Sequence, residues 1–212
     1  MDIIWFGHSC FRIKGNSAVV ITDPLPPDLG YRPDRQTANI VTISHFHPGH
    51  AYLDMIEGNP RIIKSPGEYE ISDVLIIGIA AYHDAVKGQA RGKTTVYVMD
   101  IDGVTVCHTG DLGHVLNDEQ IEELGNIDVL MLPVGGVSTI NASMAAEMVR
   151  KIEPKIVIPM HYRTEKSTRE LDGVDLFLKE LGRSEVEPRP KVSINRNSLP
   201  AGMQIYLMNP SA

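Results

Sequence analysis

SHFHPGH, residues 44–50, sets three imidazoles side by side where the apolar run NIVTIS (39–44) stops. In an extended segment, side chains two apart share a face, so His45 and His47 can enter one coordination sphere. Pro48-Gly49 then bends the chain and returns His50 toward the same cleft. Neutral imidazole is the commonest nitrogen ligand for zinc. A histidine-rich surface loop is the alternative reading, and the rest of the chain decides between the two.

Working outward, β-branched and apolar stretches recur through the first half as DIIWF, SCFRI, SAVVIT, NIVTIS, DVLIIGIA, TTVYVMD and GVTVCH. Lys14-Gly15-Asn16 and Asp102-Gly103 separate adjacent pairs as hairpin turns, so this half reads mainly as antiparallel sheet. From about residue 117 helix and strand alternate: helix NDEQIEELG, strand IDVLMLPV, helix NASMAAEMVRKIE, strand KIVIPM and a helix around VDLFLKELG. The tract EVEPRPKVSINRNSLP reads as a loop before a last strand, MQIYLM. Two half-sheets with helices outside, folded as one αββα sandwich over 1–212, fit this order.

The remaining histidines fall at strand ends too. His8 follows DIIWF, His83 follows DVLIIGIA, His108 ends GVTVC, His114 follows the TGDLG turn and His161 closes KIVIPM. Loops at strand ends can converge on a cleft while the sheet holds them rigid. Asp111, in HTGDLG, supplies a carboxylate that could bridge two cations. Singly, Asp111 reads as a turn residue and His83 or His161 as a core histidine; one metal site accounts for all of them together.

Composition narrows the function classes. The 212 residues suffice to bury a core without disulfides, and the two cysteines, Cys10 and Cys107, are too few for a secreted framework. A reducing cytoplasm is the expected compartment. MDIIWFGHSCFRIK has no export signal pattern, and no stretch approaches the roughly 20 apolar residues of a spanning helix. A net charge of −7 without a basic block argues against nucleic acid as a partner. A small-molecule substrate is the expected partner, and homo-oligomerisation is left open.

WFGHSCFRI, TDP, SHFHPGH, HTGDLGH, LPVGG and IPMHY, in this order and spacing, resemble the metallo-β-lactamase fold superfamily and its L-ascorbate-6-phosphate lactonase-like hydrolases. The resemblance implies a four-layer αββα sandwich with a dinuclear metal cleft at one edge. It implies a first metal on His45, His47 and His83 with Asp111 bridging, and a second on His50, Asp111 and His161. The family motif is His-x-His-x-Asp-His, and the position of its Asp is Gly49 here. The second site therefore lacks one anionic ligand, with Asp84 and His114 as the nearest candidates in sequence for compensation. Asp23, in VVITDP, matches an acidic position that supports the histidine motif by orienting an imidazole. His8 and His108 match histidines often found near the family's site; His108 reads as structural and His8 as a cleft residue.

The implied chemistry is hydrolysis by a metal-bound hydroxide, on one or two zinc ions, with manganese and iron fitting the same mixed donors. Asp111 and His161 stand closest to that chemistry. The substrate class implied is a small ester, a lactone or a phosphorylated metabolite. Arg91, Lys93 and Arg163 are available to attract an anion, although solvated surface charge is the ordinary reading of each. A phosphodiesterase or nuclease of the same fold is one alternative. A degenerate binding module without catalysis is another, and it rests on Gly49.

Overall fold

Alternation of apolar side chains organises the computed structural model, which describes residues 1–211. Strands β1 (Asp2–Gly7), β2 (Cys10–Lys14) and β3 (Val19–Thr22) form an antiparallel meander. Next come β4 (Gln36–Thr37), β5 (Ile40–Thr42), β6 (Ile56–Glu57) and β7 (Arg61–Ile63). β4 and β6 pair only with each other, whereas β5 and β7 extend the meander in parallel from β3. The expected antiparallel pairing therefore gives way at β3, because long crossovers join these strands instead of tight turns.

A second antiparallel meander comprises β8 (Gly67–Ile71), β9 (Val74–Tyr82), β10 (Lys93–Ile101) and β11 (Val104–His108). Asp102 and Gly103 both sit at positive φ (56° and 75°), as a primed hairpin turn requires. β8 carries GEYEI, too polar to announce a strand, and Ser72-Asp73 turn it into β9. Then α1 (Asp118–Leu124), β12 (Val129–Pro133), α2 (Ala142–Ile152), β13 (Ile156–Met160) and α3 (Val174–Glu180) alternate. Asn117 and Asn141 start α1 and α2 by accepting from the Gln120 and Met144 backbone N–H groups. The tract expected to be loop contributes β14 (Val192–Ser193), paired with β1, and MQIYLM keeps only β15 (Gln204–Ile205).

The strands assemble into two sheets, ordered β14-β1-β2-β3-β5-β7 and β15-β13-β12-β11-β10-β9-β8. Ile3, Trp5, Phe11 and Ile13 of the first share one buried core with Ile76, Val96, Met99 and Val106 of the second. α2 buries Ala142, Ala145, Ala146, Met148 and Val149, completing a helical layer on the second sheet. On the first sheet the alternate residues Phe6, Cys10 and Ile21 are covered by Leu25, Leu29, Tyr31 and Met55. The four layers of the αββα class are thus present, with the outer layer here built from loop and 3₁₀ turns. Among the described residues no helix is long and apolar enough to cross a membrane.

Two hydrogen bonds fasten the end of β5 to the second sheet. The Tyr97 hydroxyl donates to the Ile43 carbonyl at 3.0 Å, and the Thr95 N–H donates to the Ser44 carbonyl at 2.9 Å. Replacing Tyr97 with Phe leaves a buried carbonyl without its donor and is expected to lower unfolding free energy by about 1–3 kcal/mol. Urea unfolding of the metal-free protein checks this, and an unchanged midpoint would contradict the clamp.

Candidate metal centre

Each candidate side chain sits just past a strand end, and one carboxylate gathers them. Gly110 and Gly113 flank Asp111 because the backbone passes too close to its neighbours for a side chain. A Cβ on Gly110 would lie 2.5 Å from Ser44 Cβ, and one on Gly113 would lie 2.2 Å from the Asp84 nitrogen. Asp111 is thereby pushed between the two sheets. Its Oδ2 lies 3.0 Å from His50 Nε2, 3.3 Å from His161 Nε2, 3.6 Å from His83 Nε2 and 3.9 Å from His45 Nε2. The Ser9 hydroxyl donates to its Oδ1 at 3.4 Å.

Asp23 performs the orienting. It receives the Ser44 N–H at 2.7 Å, the Ser44 hydroxyl at 2.6 Å and the His50 Nδ1–H at 3.0 Å. With its proton committed to Asp23, the Ser44 oxygen accepts from His45 Nδ1 at 3.0 Å. One carboxylate therefore fixes the tautomer of His50 directly and of His45 through a hydroxyl, leaving both Nε2 atoms to face Asp111.

Potential ligand atoms fall into groups within 4.8 Å of one another: His45, His47 and His83 in one; His8, His50, Asp111 and His161 in another; Asp23, His45 and His50 in a third. His47 is exposed at the rim, its ring centroid 4.5 Å from that of His45 and 5.0 Å from that of His83. His8, Asp23 and His161 all adopt positive φ (52°, 38° and 51°), a strained backbone characteristic of functional sites.

Electrostatics favour a cation. Burial works against ionisation of Asp111, yet His161 and His50 hold its carboxyl well below the usual range. Burial alone would lower His50, but Asp111 and Asp23 lift it to about 10. Burial drives His45 down to about 3 and His83 down to about 4, keeping their lone pairs available. His45 Nε2, His83 Nδ1 and His161 Nδ1 are buried without any hydrogen-bond partner. Such orphans are rare in a folded core, and of these three His45 Nε2 is the one that faces Asp111. A set of imidazole nitrogens around one carboxylate is the donor chemistry of a zinc-type ion. The residues present fit a metal.

The other candidates lie apart. The Asp84 carboxylate accepts from the backbone N–H groups of Val86, Gly88, Ala90 and Arg91, and against its desolvation these donors bring its pKa to about 2. It closes the loop after His83 and enters none of the ligand groups. His114 is used up by Tyr82 N–H, 3.2 Å from Nε2, and the Val115 carbonyl, 2.9 Å from Nδ1. Neither supplies the donor missing at Gly49. His108 donates from Nε2 to the Ser9 carbonyl at 2.9 Å, steadying the serine that contacts Asp111.

A cleft of about 530 Å³ opens over the cluster, lined by His8, His47, His50, His83, Asp111 and His161 together with Arg91, Ser138, Thr168 and Arg169. Of the three basic residues singled out by sequence, only Arg91 faces it; Lys93 and Arg163 line other depressions. Arg169 belongs to an exposed loop with no pattern around it, and nothing in the sequence marks it.

Comparisons with known proteins bear on the family and the fold. A beta-lactamase superfamily domain model matches residues 2–161. A UPF0173 metal-dependent hydrolase of Thermococcus onnurineus is 31% identical over 192 residues, covering 77% of this chain and 85% of that protein. A Thermotoga maritima structure, assigned to the Zn-dependent hydrolases of the metallo-beta-lactamase superfamily, superposes with a TM-score of 0.82 at 38% identity, covering 98% of this chain and 97% of the other. The Ignicoccus hospitalis metallo hydrolase Igni18, at 19% identity and a TM-score of 0.65 over 92% of this chain and 99% of its own, shares the fold.

Asp23→Asn keeps the shape but makes a weaker acceptor for His50 and Ser44. Loss of an orienting partner of this kind is expected to weaken zinc binding about 10–100-fold. Competition with a chromophoric chelator measures it, and an unchanged affinity would contradict the orienting role.

Proposed function

The chain belongs to the metallo-β-lactamase superfamily, and from that premise we propose that it is a metal-dependent hydrolase of a small anionic ester, lactone or phosphorylated metabolite. The observation that carries this reading is the Asp111 cluster at the floor of a cleft whose wall holds Arg91 and Arg169. At about 530 Å³ the cleft is of small-molecule size. His45, His47 and His83 would hold one ion, and His50 and His161 a second, with Asp111 shared. Zinc suits these donors best, and manganese or iron suits them next. When bound, such an ion supplies Lewis acidity and brings the ionisation of water toward neutral pH.

The chain's own residues do the rest. Asp23 holds a proton on His50 Nδ1 and, through Ser44, on His45 Nδ1, so neither ring can rotate away. Arg91 is exposed at the cleft wall, with one guanidinium nitrogen 3.4 Å from the Val137 carbonyl. Together with Arg169 it gives an anionic substrate a positive edge to approach, which matters in a chain whose net charge is −7. Cys10 and Cys107 are buried and unpaired, which suits the reducing cytoplasm in which we place the enzyme.

Turnover should be sought with chromogenic esters, lactones and phosphoesters. Activity is expected to disappear on chelation and to return with zinc or manganese; a fully metal-loaded protein inert toward all three classes would overturn the reading. Arg91→Ala is expected to raise KM for anionic substrates about tenfold, the scale of one charge-assisted hydrogen bond, while kcat changes less. An unaffected KM would remove Arg91 from substrate binding.

A further inference from the structure

We propose that His8 is the ligand that replaces the missing acid at position 49, so that the second cation site is His8, His50, His161 and Asp111. This rests on the metal-dependent reading above and says how the site is completed.

Space supplies the first argument. A Cβ on Gly49 would lie 3.3 Å from His8 Nε2 and 3.4 Å from Leu29 Cδ1. That is tight for a methyl, so a side chain at 49 requires the His8 ring to give by a few tenths of an ångström. The ring stands beside the place a side chain at 49 would take, so an acid there and His8 in its present pose compete for the same space.

Placement supplies the second. A His8 nitrogen lies within 4.8 Å of ligand atoms of His50, Asp111 and His161. Its ring centroid is 4.0 Å from that of His161 and 4.8 Å from that of His50. Three nitrogens and one carboxylate oxygen from four side chains make a complete tetrahedral donor set for zinc.

The backbone supplies the third. His8 is held at φ 52°, and its carbonyl accepts both the Trp5 indole N–H and the His161 backbone N–H at 3.0 Å. The second of these ties His8 to another ligand of the same ion. The residue is buried and its ring lines the cleft, with no hydrogen bond to it from a described side chain or backbone group. A strained, doubly anchored histidine whose ring no protein group engages has its nitrogens available to an ion.

The test titrates zinc alone into metal-free protein, counting bound metal by elemental analysis after gel filtration and following affinity by calorimetry. Wild type is expected to take up two equivalents. His8→Gln keeps the bulk but removes the imidazole. It should retain the first equivalent and lose the second, or weaken it at least about tenfold, the lower end of what losing even an indirect partner costs. His8→Ala combined with Gly49→Asp should recover the second equivalent, because the acid then has room; circular dichroism confirms folding of each variant. Two unweakened equivalents in His8→Gln, a single equivalent in wild type, or no recovery in the double variant would each overturn the assignment while leaving a metal-dependent enzyme. No zinc uptake by wild type would overturn the metal reading itself, and this assignment with it.

Discussion

The carboxylate of Asp111, buried between the two sheets and facing four imidazole nitrogens within 4 Å, is the constraint to which the rest of the structure answers. An ionised carboxylate taken out of water costs several kcal/mol unless it is paired and hydrogen-bonded. Burial without partners would drive it to protonate; here the surrounding rings hold it ionised. Partners can reach it only from strand ends on both sheets, so the site exists where β5, β9, β11, β13 and the β1–β2 turn run out together. The glycines on either side of Asp111 and the positive φ values of His8, Asp23 and His161 are local concessions to that convergence. They are offset by the core beneath, where Trp5, Phe11 and Tyr97 are fully buried.

A second buried carboxylate makes the arrangement directional. Asp23 lies at the end of β3, beside β5 in the parallel pairing, and meets Ser44 and His50 from the side away from Asp111. The two acids thus bracket His50, one at each ring nitrogen. Asp23 fixes the orientation of both rings, directly and through Ser44, and the shape of the centre is set before any ion binds. Preorganisation of this kind lets a metal enter without rearranging the sheets.

Features that depend on local spacing were legible in the sequence. His45, His47 and His50 share a short stretch after an apolar run, and His83 and His161 terminate apolar runs of their own. Asp111, alone a turn residue between glycines, is drawn into the site by the histidines that precede and follow it. The sandwich followed from hairpin signals and from the change to alternating helix and strand. Features that depend on three-dimensional vacancy or edge position were not legible. His8 reads from the sequence as a cleft residue, and it lines the cleft, but its nearness to Gly49 is visible only in three dimensions. Asp84 and His114 are adjacent in sequence to site residues, yet backbone groups occupy them fully. Arg169 sits in an unpatterned loop. β8 and β14 are polar edge strands, whose pairing is specified by their neighbours and not by their own apolar content. The parallel β3-β5-β7 run was hidden because pairing direction follows the crossovers, which periodicity does not encode.

Zinc anomalous scattering from a crystal grown with the metal would locate the ions directly. Two peaks are predicted on either side of Asp111, one among His45, His47 and His83 and the other among His8, His50 and His161. A map with no peak at Asp111, or with zinc bound only elsewhere on the chain, would contradict the claim that this buried carboxylate is the centre around which the protein is built.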